Sequence, residues 1–443
     1  MTERLIVVGG GAGGPSAAAK AKREKPSLDV HIFERGPHVS YAACPTPYYI
    51  GGRIADADAM IARTPERFAR DGIEVHLGHE VTAIDPEAGT ATDADGTHWA
   101  YDYLVYAAGA HSHRPPIPGL DSPHVYTLKD LRDAQRIKQR LDARPVRRAL
   151  VMGAGYIALE MAEALRERGV QTTILHGGER PLRLLAPELS ALLAAELERN
   201  GVRYVPGVVF QGVAADEQEA SVATDGETYA GDIVIAALGV RPTVDLARAT
   251  GIALGETGAV VTNDHQETNL ERIYAAGDCT EVRHRVSDCP AYLPLGDIAN
   301  KQGRVAGANI GGGEVRFPGA LGSQSVKLFD LEVALTGLND EQAARAGFSP
   351  VAAQVTARSR AGAYPGGQPL HVRLLAEKTS GRLLGAQLVG AEGAVGRTNV
   401  VAAALDRCMS VIELMALDLC YAPPYSPVWD PLHIAAQACA KRL

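Results

Sequence analysis

The chain has 443 residues, 46% of them hydrophobic, and 44 Lys and Arg stand against 52 Asp and Glu for a net charge of −8. Such a length accommodates roughly two to four domains with sizeable cores, and the acidic balance argues against nucleic acid or an anionic membrane as the main partner. No uninterrupted apolar run approaches a membrane span, and six cysteines without a CxxC pair fit a reducing, cytoplasmic compartment rather than a disulfide framework.

The opening RLIVVGG reads as a buried strand, Leu5 to Val8, broken too soon by glycine to be a leader. It runs into Gly9-x-Gly11-x-x-Gly14 and an alanine-rich helix. Glycines in that position permit a tight turn and close backbone approach, and the helix N-terminus faces a pyrophosphate. The next strand, DVHIFER, ends at Glu34, twenty residues past Gly14, where a carboxylate accepts hydrogen bonds from ribose hydroxyls.

Next comes SYAACPTPYYIGG, residues 40–52. Pro45 suits the first position of a helix, and Gly51-Gly52 supply a stop. This places Cys44 at the N-cap of a short helix, where free N–H groups and the helix dipole favour a thiolate. The competing reading is a small buried core residue.

The strand–glycine–helix pattern recurs in RRALVMGAGYIALEMAEALRERG, with Gly153-x-Gly155-x-x-Ala158, and a strand QTTILH follows. Two dinucleotide folds imply two dinucleotides, and FAD with a nicotinamide is the economical pair because electrons must pass between them. The second copy lacks the acid. Its strand ends at His176, with Arg180 and Arg183 beyond, which favours the 2′-phosphate of NADPH over NADH. The alternative is a solvated basic face. YDYLVYAAGA (101–110) and GDIVIAALGV (231–240) each close a strand on a small-residue turn, at Ala108-Gly109 and at Gly239. IYAAGDCTE (273–281) sets Gly277 and Asp278 after a strand, where an acid can hold the ribityl chain of a flavin. His111 and His113 lack a third ligand and read as surface loop. Cys279, His284 and Cys289 lack zinc-ribbon spacing, so no metal site is expected.

The two glycine motifs, YAAGDC and PLGDIANKQGRVAG together resemble the flavin-dependent pyridine nucleotide–disulfide oxidoreductases. SYAACPTPYYIGG and the tail YAPPYSPVWDP are similar to the single-cysteine branch of that family. The branch contains coenzyme A-disulfide reductases, NAD(P)H oxidases and peroxidases, and coenzyme A-dependent persulfide or polysulfide reductases. The resemblance implies an α/β fold with two Rossmann-like dinucleotide-binding domains, one inserted in the other, plus a C-terminal α+β dimerisation domain. The FAD domain then spans residues 1–115 and 245–318, the NAD(P)H domain 116–244 and the dimerisation domain 319–443. A homodimer is implied, with the tail of each chain completing its partner's active site. The alternating pattern HVRLLAEKTSGRLLGAQLVG, followed by helical segments, suits the last domain. No further repeat and no appended rhodanese-like module is read.

By the same resemblance Cys44 is the redox cysteine. Dithiol members carry a second cysteine where this chain has Tyr49, so a small thiol, a disulfide or a peroxide from outside must complete the chemistry. Arg35 joins Glu34 among the FAD contacts. Tyr156 covers the flavin and Glu160 sits by the nicotinamide carboxamide. Contacts to coenzyme A fall at Ser16, Lys20, Arg23 and Ser40, with an ordinary basic surface as the alternative. Tyr421, Tyr364 and Tyr425 fall at tail and interface positions where tyrosines donate to a leaving thiolate, although the position of Tyr425 is often phenylalanine. Ala43 departs from the usual asparagine before the cysteine, and Pro45-Thr46 from an apolar residue and leucine after it. Three activities remain open: a disulfide reductase, an NAD(P)H oxidase or peroxidase cycling Cys44 through sulfenic acid, and a flavoprotein acting mainly by partner binding.

Overall fold

The computed structural model of the chain describes residues 2–443. Its first sheet is built on β1 (Arg4–Val8), which leads into helix α1 (Gly13–Glu24) and β2 (Asp29–Glu34); α2 (Thr46–Gly51), β3 (Ile73–Leu77) and β4 (Tyr103–Tyr106) follow. The strand order is Ile273–Ala275, β4, β1, β2, β3, and all neighbours are parallel. Leu5, Ile6 and Val7 are wholly buried, because both sheet faces are covered and a strand buried on both faces reads as an unbroken apolar run. Leu5, Val7 and Ile32 pack with Ala17, Ala18 and Ala21 of α1 on one side. Ile6, Val8 and Phe33 pack with Val81, Ile84 and Ala91 on the other. Those last residues belong to a three-stranded antiparallel meander over Val81–Asp85, Thr90–Asp93 and His98–Ala100.

The second sheet repeats the plan. β5 (Arg148–Met152), helix α3 (Tyr156–Glu167) and β6 (Gln171–Leu175) form its centre, in the order Val202–Val205, β6, β5, Ile233–Ala236, Val125–Tyr126, again parallel. A second antiparallel meander spans Phe210–Ala215, Ala220–Thr224 and Thr228–Gly231. The internal repeat therefore includes a meander in each copy, beyond the strand–glycine–helix–strand pattern and returning strands expected from the sequence. The two crossings between these units form a ribbon, Ala110–Ser112 against Val240–Pro242. His111 lies in that ribbon, and not in the surface loop expected for it.

The C-terminal sheet is antiparallel, in the order Gln324–Leu328, Leu331–Gly337, Leu383–Gly390, Pro369–Glu377, Pro350–Arg358. Helices Ala394–Asp406, Val411–Met415 and Pro431–Ala440 accompany it, and their Val401, Leu405, Leu414 and Leu432 share its core. Glu163 of α3 fastens this unit to the rest. Its side chain is almost wholly buried, accepts from Phe329 N at 2.7 Å and Arg53 Nη2 at 3.1 Å, and pairs with Lys327. Among the described residues no helix is long and apolar enough to cross a membrane.

Candidate active site

The two glycine turns have the same construction. Gly9 N donates to Phe33 O and Gly153 N to Leu175 O, both at 2.8 Å. Gly9 (φ 112°) and Gly153 (φ 103°) lie in backbone space that L side chains rarely adopt. A Cβ on them would strike the carbonyl oxygens of Ala107 and Ala237 respectively. Gly11 and Gly155, in contrast, face open space. Such a clearing beside a helix start is what close approach of a pyrophosphate requires, so the residues present fit a dinucleotide at both turns. Gly14 differs from both: a Cβ there would strike Gly9 O, so its small size serves helix-to-strand packing. At the end of β2, Glu34 is held by Gly10 N (2.7 Å) and Gly36 N (2.6 Å), one on each carboxylate oxygen.

Both turns open onto one cleft of about 2470 Å³, well beyond the roughly 300–1,000 Å³ of a single small-ligand site. Its lining includes Gly9, Gly11, Glu34, Arg35, Ala108, Gly109, Gly277 and Asp278 from the first unit, and Gly153, Gly155, Tyr156, Glu160, His176, Arg183 and Gly239 from the second. Ser16, Lys20, Arg23, Ser40 and Cys44 line it too. Lys20 is ion-paired to Glu24, whereas Arg23 has no ion pair among the described residues. Ser16 Oγ donates to Asn300 Oδ1 at 2.7 Å. Ser40 holds a positive φ of 52°, and its N–H donates to Gly10 O.

Cys44 is accessible from the cleft, so the reading of it as a buried core residue fails. The expected N-cap fails too. Helix α2 starts at Thr46 with Pro45 as its cap residue, one position later than read. Pro45 and Pro47 have no N–H, and Thr46 N donates to Ala43 O at 3.2 Å, so few amides remain to stabilise a thiolate. The cleft walls instead surround the sulfur and push its pKa up; Glu160 adds to this, and Lys129 opposes it.

Glu160 is pushed up to about 7, first by burial and then by Glu163. Tyr156 carries a buried hydroxyl with no partner, and burial keeps that phenol protonated. Lys129 was not legible from the sequence. Its Nζ donates to Asp278 Oδ2 at 2.8 Å in the cleft wall. Tyr292, also missed, donates to Asp278 O at 2.9 Å. Burial lowers the pKa of His176, which leaves its imidazole neutral at pH 7.

Besides Gly14, four residues expected at the site stand apart from this cleft. Arg180 does not line it, and its Nε is buried without a partner. Tyr364, Tyr421 and Tyr425 are 37%, 50% and 77% exposed on the C-terminal unit and do not line the cleft of their own chain.

Comparison with known proteins agrees with this architecture. Residues 3–303 match the family described as pyridine nucleotide-disulphide oxidoreductase, and residues 323–432 match its dimerisation domain. An NAD(P)H sulfur oxidoreductase (CoA-dependent) of Pyrococcus abyssi is 37% identical, with 99% of this chain and 98% of that protein covered. An NADH oxidase of Methanocaldococcus jannaschii is 32% identical, with 99% of both covered. The structure of an NAD-dependent persulfide reductase from A. fulgidus superposes with a TM-score of 0.96 at 34% identity, covering 99% of this chain and 83% of that one. The chain belongs to the pyridine nucleotide-disulphide oxidoreductases and carries their dimerisation domain.

Proposed function

We propose that the chain is an FAD-dependent NAD(P)H:disulfide oxidoreductase that reduces coenzyme A disulfide, a coenzyme A persulfide or a related small disulfide through Cys44. One observation carries this reading: among the described residues Cys44 is the one cysteine lining the cleft onto which both glycine turns open. Residues 1–115 and 245–318 form the FAD unit, with residues 116–244 inserted and 319–443 as the dimerisation unit. The pairing of Ile273–Ala275 beside Tyr103–Tyr106 supports the split.

Gly9, Gly11 and Glu34, with Arg35 alongside, hold the adenosine and pyrophosphate end of FAD, and Asp278 faces its ribityl chain. Gly153 and Gly155 hold the nicotinamide dinucleotide, and Glu160 takes its carboxamide. Arg183 stands ready for a 2′-phosphate and favours NADPH; neutral His176 adds hydrogen bonding rather than charge. Arg23, with Ser16, Lys20 and Ser40, offers contacts to the phosphates and pantetheine of coenzyme A.

The Cys44 thiolate attacks one sulfur of the bound disulfide. The S–S bond breaks, one thiolate leaves, and Cys44 remains in a mixed disulfide. FAD and NAD(P)H, when bound, would supply the two electrons that break this S–S bond, which returns the Cys44 thiolate and releases the second substrate sulfur as a thiolate that takes up a proton. No cysteine within α2 can resolve the bond, so each turnover depends on those electrons. Tyr421 and Tyr364, with Tyr425 beside them, protonate the leaving thiolate from a second copy of the chain. Their exposure on their own chain supports that arrangement.

Peptide mapping of the protein as purified tests the assignment. A coenzyme A or persulfide adduct on Cys44, released by reductant, is the expected result. The relative described as an NADH oxidase favours a second reading, in which Cys44 cycles through sulfenic acid. That reading holds if Cys44 carries only oxygen and if NADPH-reduced protein reacts with oxygen faster than with any disulfide.

A further inference from the structure

Away from the cleft, on the meander face of the first sheet, two histidines converge. In the parallel register of β2 and β3, His31 stands opposite Glu74 and Phe33 opposite His76, so these four side chains share one face. His31 Nδ1 lies 3.0 Å from His76 Nε2. The Glu74 carboxylate straddles the pair, one oxygen 3.6 Å from His31 Nδ1 and the other 3.6 Å from His76 Nε2. The His31 side chain is 93% buried and that of His76 88% buried, from exposures of 7% and 12%, whereas Glu74 opens to solvent. Behind the pair, His31 Nε2 is buried without an aligned hydrogen bond and lies 3.1 Å from Asp29 Oδ1. Asp29 is itself held by Arg4 Nε at 2.7 Å.

Packing accounts for the rings but not for the carboxylate. Phe33 and Trp99 contact His76 with ring centroids 4.5 and 5.0 Å apart, an ordinary aromatic cluster. Two facing imidazole nitrogens can share one proton, and the nitrogen without it has nothing to offer a carboxylate. A cation between the three groups satisfies all of them. Tetrahedral zinc with bonds of about 2.0–2.1 Å sets its ligand atoms about 3.3 Å apart; here the two imidazole nitrogens are 3.0 Å apart, and one ligand atom from each of the three residues lies within 4.8 Å of the others. A metal-bound imidazole commonly gives its other N–H to a carboxylate, and Asp29 occupies that place behind His31.

We propose that His31, Glu74 and His76 form a divalent-cation site of the zinc class, with Asp29 orienting His31 and a fourth position open to solvent past Glu74. The ion would cross-link β2, the strand that ends in Glu34, to the edge strand β3.

The test titrates the FAD-loaded protein with Co²⁺ and with Zn²⁺ against a chromogenic chelator. Its exposed cysteines, Cys44, Cys289, Cys408 and Cys420, are first alkylated to remove thiol sites. The expected result is one site per chain, with the ligand-field absorption of nitrogen- and oxygen-bound Co²⁺. His76→Gln should weaken it about 100-fold or more and Asp29→Asn about tenfold. Glu74→Gln changes an exposed side chain and decides the matter alone if His76→Gln loses its FAD; it too should weaken binding at least about tenfold. Equal affinity in the wild type and Glu74→Gln would overturn the proposal, as would no saturable site in the alkylated wild type.

Discussion

Lys129 Nζ donates to Asp278 Oδ2 at 2.8 Å across 149 residues of chain, inside the cleft that holds Cys44. The lysine is the one nearby cation that lowers the pKa of Cys44, against burial and Glu160. Lys129→Met should therefore raise the thiol pKa and slow alkylation of Cys44 by iodoacetamide at pH 8 by about three- to tenfold. It should also weaken retention of FAD, because Asp278 loses the partner that orients it. The pH profile of alkylation, read by peptide mass, checks the first effect. An unchanged profile would remove Lys129 from the account.

Glu160 offers a pH test with a defined sign. Its folded pKa is raised to about 7 from an ordinary 4.5, so the folded state holds this proton more tightly than the unfolded chain. Its contribution to stability is present at low pH and is lost as pH rises from about 4.5 through about 7. Glu160→Gln keeps the neutral form at every pH. The variant should resist urea better than wild type at pH 8, by on the order of 1–3 kcal/mol, and by less at pH 5. The rate of flavin reduction by NADPH should lose any inflection near pH 7. A stability gain equal at both pH values would contradict this origin.

Arg183 lines the cleft beyond β6, whereas Arg180 does not. Arg183→Glu should cut kcat/KM for NADPH by about tenfold or more and change that for NADH far less, since a charge-assisted contact to the 2′-phosphate is lost. Arg180→Ala should leave the ratio of the two unchanged. Steady-state kinetics with both nucleotides decides. Equal losses for both would show a structural arginine.

The tail can be tested by mixing defects. Arg397 Nε grips Asp430 at 2.9 and 3.2 Å, and Arg397 Nη2 donates to Tyr425 O at 3.1 Å. This anchors the tail backbone at Tyr425. If the exposed tyrosines serve the other chain, a mixed dimer of Cys44→Ser with a Tyr364→Phe/Tyr421→Phe chain regains one intact site. Equal mixing of the two inactive proteins should restore about a quarter of wild-type activity through the heterodimers. No restoration after subunit exchange would place the tyrosines in their own chain's site, and a fully active Tyr364→Phe/Tyr421→Phe homodimer would place them outside the chemistry.

What was legible in the sequence was local. Gly9-x-Gly11 and Gly153-x-Gly155 act within one turn each, so their spacing carries their geometry. The cap at Cys44 was misplaced by one residue, and Pro47, visible in the sequence, already removed a donor from that helix start. Lys129 and Asp278 meet only because the two crossings return to one cleft, and the stretch TLKDL announces nothing. Both meanders escaped notice because their strands are only three to six residues long and mix small with polar side chains. The pairing of His31 with His76 needed the register of β2 on β3, which no local pattern encodes.

The central claim is that Cys44 carries the electrons to the substrate. Pro45, not Cys44, is the cap residue of α2, so Cys44→Ser should leave the fold and FAD content unchanged, and hydride transfer needs only the two dinucleotide sites. The decisive measurement is NADPH-dependent reduction of coenzyme A disulfide and coenzyme A persulfide by Cys44→Ser under anaerobic conditions, beside stopped-flow reduction of its flavin. The account predicts flavin reduction within about twofold of wild type and turnover of both sulfur substrates lowered by about a thousandfold or more, as expected when a covalent nucleophile is removed. Turnover near the wild-type rate would contradict it and leave Cys44 a structural residue at a helix start.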